Sequence, residues 1–155
     1  MRALITNRQH LGALLLLIAT ITGCSSPTME MQMTSSANLN MNQDNEPLTV
    51  VVRIYQLERA ETFKAASFDE LWENDLATLG DAVLVKEEIV MNPADTRKFE
   101  MSPHDDTRFV AIMAGFREKN GDRWKDIASV SNSWLGRRIG NSYQVELRGN
   151  EIVFE

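Results

Sequence analysis

The sequence predicts a mainly β domain, a two-sheet sandwich with one small helical insertion. Three observations carry that prediction. Apolar and polar residues alternate with a period of two at Met29–Thr34 and again at Tyr143–Arg148. Two runs, Leu48–Leu57 (LTVVVRIYQL) and Phe109–Phe116 (FVAIMAGF), are rich in apolar and β-branched residues. One stretch, about 61–79, switches to helical spacing. Period two marks a strand with one buried face, and a continuous apolar run marks a strand covered on both faces. Some eight short strands separated by turn signals point to a sandwich. A chain of 155 residues accommodates one domain.

The chain opens with a targeting segment, residues 1–23. Arg2 and Arg8 form a positive start, and no Asp or Glu occurs before Cys24. From Leu11 to Ile21 (LGALLLLIATI) nine of eleven residues are apolar. That suits a signal peptide and falls short of the roughly 20 apolar residues of a membrane-spanning helix. The segment ends Ile21-Thr22-Gly23-Cys24, which resembles the lipobox of bacterial lipoproteins. Small residues fit the cleavage pocket, and the Cys24 thiol is the nucleophile that takes the diacylglycerol group. Thr22 is bulkier than the usual Ala or Ser. The expected modification is a diacylglycerol and an N-acyl lipid on Cys24, with no other cofactor. More than one acyl chain makes such anchoring stable. In lipoproteins of this kind Asp after the cysteine favours inner-membrane retention. Ser25 is compatible with transport to the outer membrane, so the expected location is its periplasmic face. Residues 24–27 form a short tether of roughly 10 Å, and residues 28–155 form the folded domain.

Along that domain the elements follow in order. Met29, Met31 and Met33 alternate with Glu30, Gln32 and Thr34 as a first strand. Asn38–Pro47 (NLNMNQDNEP) is rich in turn formers and reads as a long polar loop. Leu48–Leu57 follows as the strongest strand. Phe68, Leu71, Trp72, Leu76 and Leu79 then form a helical apolar stripe. Ser67 and Glu70 supply a capping box, and Gly80 is placed to end the helix in a left-handed conformation. Leu84–Met91 and Lys98–Met101 are strands either side of Asn92-Pro93. Phe109–Phe116 reads as a central strand, and Asn120-Gly121 as a turn. Trp124–Val130 fits a strand or a helix. Gly149-Asn150 is a hairpin signal between the Tyr143–Leu147 strand and Ile152–Phe154.

Composition excludes several chemistries. With 16 Lys+Arg against 22 Asp+Glu the chain is acidic, which argues against binding nucleic acid. One Cys and two His exclude a disulfide framework, a Cys-rich zinc site and a multi-His metal centre. No nucleophile-elbow motif and no Gly-rich phosphate loop occurs. Glu87 and Glu88 are adjacent in a strand and face opposite sides. His104-Asp105-Asp106 is the most site-like cluster, but Pro103 and Asp105 imply a solvated turn. A hydrolase built there has no identifiable nucleophile or second catalytic group, which makes it the weakest of the readings. An alternative function is periplasmic ligand or glycan binding through Trp134 beside Arg137 and Arg138, in the polar segment SNSWLGRRIGN. Trp72 belongs to the helical stripe and is expected in the core.

The order of these features resembles a known family. A lipobox precedes a first strand, Ala37-Asn38-Leu39-Asn40 and a polar loop. Then comes VVVRIYQL at 50–57, with Phe63, Phe68 and Leu71 behind it. Glu88–Pro93 lies within EEIVMNP, and the apolar strand at 109–116 follows. This is similar to the outer-membrane lipoprotein of the type VI secretion system, the SciN/TssJ family. Met41 is a departure, since Pro is expected after that Asn, and residues 130–155 carry little signature. The resemblance implies a transthyretin-like sandwich without enzymatic activity. It implies a partner, the periplasmic C-terminal part of a large inner-membrane component of the TssM/IcmF type. It also implies that the loop between the first two strands binds this partner. Here that loop is Asn38, Leu39, Asn40, Met41, Asn42, Gln43, Asp44, Asn45 and Glu46, with Leu39 and Met41 as apolar anchors. Deleting 40–45 is then expected to abolish binding and leave the fold intact.

Overall fold

The computed structural model describes residues 28–119, 121–131 and 141–155. Eight strands lie among them: β1 (Met29–Ser35), β2 (Val50–Leu57), β3 (Val83–Met91), β4 (Thr96–Met101), β5 (Phe109–Ala114), β6 (Lys125–Ser129), β7 (Asn141–Arg148) and β8 (Glu151–Phe154). They form two four-stranded sheets, ordered β4-β1-β7-β8 and β3-β2-β5-β6. β1 pairs antiparallel with β4 and parallel with β7, while every pair in the second sheet is antiparallel. The ambiguous Trp124–Val130 segment is therefore a strand, held against β5 from Phe109↔Ser129 to Met113↔Lys125.

Alternation places the core. Met29, Met31 and Met33 of β1 are buried between the sheets, beside Tyr143, Val145 and Leu147 of the parallel neighbour. Val50, Val52 and Ile54 share one face of β2 and join the same core. The opposite face of β2 carries Arg53 and Tyr55, and the helices pack there. Val110 to Ala114 of β5 are all buried, as a strand covered on both faces requires.

The insertion is two helices, α1 (Glu61–Ala65) and α2 (Phe68–Leu79), rather than one. Ser67 caps α2: its hydroxyl accepts from the Glu70 N–H, and the Glu70 carboxylate accepts from the Ser67 N–H at 2.8 Å. The Lys125 ammonium donates to the Phe63, Lys64 and Ala66 carbonyls at 2.6–3.1 Å, closing the C-terminus of α1. At Asn74 the backbone leaves helical geometry (φ −142°, ψ 46°). This kink corrects the predicted stripe. Leu71 and Leu79 are buried, but Asp75 turns inward and Leu76 is 56% exposed. Gly80 has φ +57° and ψ −136°, a glycine-favouring conformation outside the left-handed helical region, and leads into a 3₁₀ turn (Gly80–Ala82).

Trp72 lies over Gly115, just past β5. A Cβ on Gly115 would meet the indole at 2.5 Å, so the close approach needs the absent side chain. Phe68 stacks on Trp72 (5.7 Å, 16°), and the Arg53 guanidinium sits 4.6 Å from the Trp72 ring centroid. The expectation that Trp72 packs into the fold is met.

Candidate functional site

β1 separates the start of the domain from its first loop. Cys24 precedes Met29 by five residues, at most about 18 Å of extended chain. The seven residues of β1 then span roughly 23 Å. The loop from Ser36 to Thr49 thus begins at the end of the sandwich opposite the start of β1. Cys24 and Ser25 themselves lie outside the described residues, as do Trp134, Arg137 and Arg138.

Asn40 organises the loop's root. It has φ +49° and is 3% exposed. Its N–H donates to the Gly149 carbonyl at 3.1 Å, and its Nδ2 donates to the Thr49 carbonyl at 2.8 Å. Its Oδ1 accepts from the Arg117 N–H at 2.8 Å. One side chain and its backbone thus tie together the β1–β2, β5–β6 and β7–β8 connections. Asparagine tolerates positive φ better than most residues, which suits it to this position. Leu39, fully buried, fills the core beneath.

Asn42 organises the tip. Its Oδ1 accepts from the Asp44 and Glu46 N–H groups at 2.9 and 2.8 Å. Its Nδ2 donates to the Glu46 carboxylate at 3.0 Å, and its N–H donates to the Glu46 carbonyl at 3.0 Å. Such side-chain turns replace the ladder bonds that a loop lacks. Asn38, Gln43, Asp44, Asn45 and Glu46 are exposed, while Met41 and Asn42 are half-buried.

The nine predicted residues therefore divide. Leu39 points into the core, so it is not the surface anchor expected of it; Met41 is the remaining apolar candidate. Asn40 holds loops together inside the fold. Deleting 40–45 removes that tie, so it is expected to disturb the fold as well as the loop.

The other predicted features are placed plainly. His104, Asp105 and Asp106 occupy an exposed turn. The His104 Nδ1 accepts from the Asp106 N–H at 3.2 Å and lies 3.9 Å from its carboxylate. Buried Gln56 supports this turn. Its Oε1 accepts from the His104 N–H and the Thr107 hydroxyl, both at 2.8 Å, and its Nε2 donates to the Ser102 carbonyl. Among the described residues no group of three or more His, Cys, Asp or Glu could hold a metal.

Sequence reasoning missed one polar cluster, between α2 and its sheet. The Asp75 carboxylate accepts from the Tyr55 hydroxyl at 2.8 Å and from Lys86 at 2.6 Å, with Arg53 at 3.4 Å. Arg53 also pairs with Glu88 at 3.0 Å and donates to the Leu71 and Trp72 carbonyls. Burial alone would raise the Asp75 pKa. Hydrogen bonds from Lys86, Tyr55 and the Leu76 N–H outweigh it and hold the carboxyl below its ordinary value. Burial, with the Asp75 contact, pushes the Tyr55 phenol well up. The visible signal was Asp75 itself, a carboxylate one helical turn from Leu71 and Leu79. The cluster is saturated by internal partners and serves the fold.

Residues 27–150 match the family of type VI secretion lipoproteins, described as VasD, EvfM and TssJ. The chain belongs to that family. Several solved structures share the fold. The type VI secretion lipoprotein TssJ1 from Pseudomonas aeruginosa superposes with a TM-score of 0.72 at 19% identity, covering 84% of this chain and 96% of that one. Serratia marcescens Lip, a membrane-bound component of the type VI secretion system, gives 0.76 at 14% identity, covering 84% and 97%. A chain in a structure described as a type VI membrane complex gives 0.74 at 21% identity, covering 84% and 99%. No individually curated protein matches the sequence. Membership in the secretion lipoprotein family implies a lipid-modified cysteine, and Cys24 is the chain's one cysteine. It accords with a membrane-anchored structural component on the periplasmic side.

Proposed function

We propose that this lipoprotein fastens the type VI membrane complex to the outer membrane. Acyl chains on Cys24 hold the inner leaflet of that membrane, and Ser25 permits the sorting. The tip, half-buried Met41 with the exposed residues 43–46, binds the periplasmic C-terminal part of a large inner-membrane component of the TssM/IcmF type. Family membership over residues 27–150 is the observation that carries this proposal. Two features of the fold support it. The tip is braced by Asn42 and so loses little freedom on binding. It also lies at the far end of β1 from Met29, which follows the tether, so a membrane-held start leaves it free to project into the periplasm. Tethering raises effective concentration, so a modest contact suffices once several copies assemble.

The test is capture from detergent-solubilised envelopes with the tagged full chain. Expected is recovery of one large inner-membrane protein, lost when 43–46 is replaced by Gly-Ser residues with Asn40 kept. Recovery at the parent level by that variant would sink the loop assignment. Membrane fractionation checks the sorting: the parent is expected with the outer membrane, and Ser25→Asp with the inner.

A further inference from the structure

The tip is one wall of a cleft. A second wall comes from the β5–β6 connection, and a space of about 350 Å³ lies between them. Met41, Asn42 and Gln43 line one side, Arg117 and Glu118 the other. A hydrogen bond joins the two walls at their base. The Arg117 N–H is held by the Asn40 side chain at 2.8 Å, and buried Phe116 precedes it.

The charges of the second wall have no charged partner among the described residues. Arg53, Arg59, Arg97, Arg123 and Arg148 each pair with a carboxylate of this chain. Arg108 also has a partner. Arg117 is the one arginine among the described residues whose guanidinium has none, and it is exposed. Two residues on, Lys119 places its ammonium 4.0 Å from the Phe68 ring centroid. Glu118 likewise has no partner among the described residues. An arginine on a fixed backbone beside a half-buried methionine combines a planar carboxylate-binding fork with adaptable apolar area. Residues of these two types are enriched at interface cores.

We propose that the partner surface is this two-loop cleft, not the β1–β2 tip alone. Its occupant is a protein segment with an acidic side chain beside a basic one. The acidic side chain meets Arg117, the basic one meets Glu118, and Met41 covers their stems. This proposal rests on the function proposed above and adds Arg117 and Glu118 as contact residues.

The test uses the full lipidated chain in detergent micelles, titrated with the purified periplasmic domain of the inner-membrane protein recovered by capture. Arg117→Glu is expected to weaken binding by about tenfold or more. Arg117→Lys should weaken it less, because it keeps the charge and loses the fork. Glu118→Lys should also weaken it. Binding by the parent should weaken as salt rises, and less steeply for Arg117→Gln. Thermal melting of each variant separates lost contact from lost fold, and Arg117→Lys provides the comparison should Arg117→Glu melt early. Parent-like affinity for Arg117→Glu, with loss for the 43–46 replacement, would overturn the cleft and leave the loop assignment standing. Parent-like affinity for both would overturn both. Failure of the parent to bind would overturn the function itself.

Discussion

The two sheets face solvent differently. β3-β2-β5-β6 carries α1 and α2 on its outer face, so β2 and β5 are buried on both sides. β4-β1-β7-β8 leaves its outer face to polar side chains, with Glu30 and Gln32 of β1 flanked by Glu100 and Lys98 of β4 and by Ser142 and Gln144 of β7. The difference teaches where a polar residue is free and where it is committed. Arg53 and Asp75, between helix and sheet, are held by several partners each. Gln32, on the open sheet, has no such obligation.

That contrast is open to test by substitution. Asp75→Leu should have the largest effect, about 3 kcal/mol of stability by denaturant unfolding, because it takes the acceptor away from the Tyr55 hydroxyl and the Lys86 ammonium under α2. The same group gives a pH signature. The folded pKa of Asp75 lies below its ordinary value of 3.8. Its contribution is therefore complete well above that value and disappears as pH falls through the lower, folded pKa. Asp75→Asn should flatten the acid limb of the stability profile; an unchanged limb would place the acid sensitivity elsewhere.

Gly115→Val should cost about 1–3 kcal/mol, since the new side chain meets the Trp72 ring. Trp fluorescence should report the displaced indole. Ser67→Ala removes one half of the α2 cap and should cost about 1 kcal/mol in the same assay. Gln32→Thr, on the uncovered sheet, should stay within about 0.5 kcal/mol of the parent. A large loss there would mean that Gln32 is committed to the fold after all and would remove the contrast between the two sheets.

How much was legible depended on the range of the interactions involved. Seven of the strands were readable, the clearest because alternation and apolar runs are local consequences of burial, as at Met29–Met33 and Val110–Ala114; Trp124–Val130 stayed open between strand and helix because its pairing with β5 decides it. The Ser67–Glu70 cap was readable for the same reason, being contained within four residues. The kink at Asn74 was not, and the stripe assigned Leu76 to the core in place of Asp75. What turns Asp75 inward is a set of partners on β2 and β3, Tyr55 and Lys86, some 20 and 11 residues distant in sequence. Within the candidate site the loop's extent was legible from NLNMNQDNEP. The division of labour inside it was not. Asn40 and Asn42 are the same residue type two positions apart, yet one reaches Arg117 and Gly149 across the fold while the other braces its own tip. Composition cannot separate them. Arg117 was invisible for a related reason, since its relevance comes from the side chain 77 residues earlier that holds its backbone.

The position of β1 has a mechanical consequence. It lies inside its sheet, bonded along its length to β4 on one side and to β7 on the other. Tension between Cys24 and the Ser36–Thr49 loop would run along the strand axis. The continuous backbone of β1 joins the two points, so its covalent bonds carry the load and the ladder bonds to β4 and β7 are not opened one after another like a zipper. The Asn40 tie to Arg117 and Gly149 would pass part of that load to the second sheet and to the β7–β8 turn before the strand itself is strained. Resistance to forced unfolding is governed by the unfolding rate and not by equilibrium stability. A domain pulled from these two points is therefore expected to be stiffer than its modest size suggests.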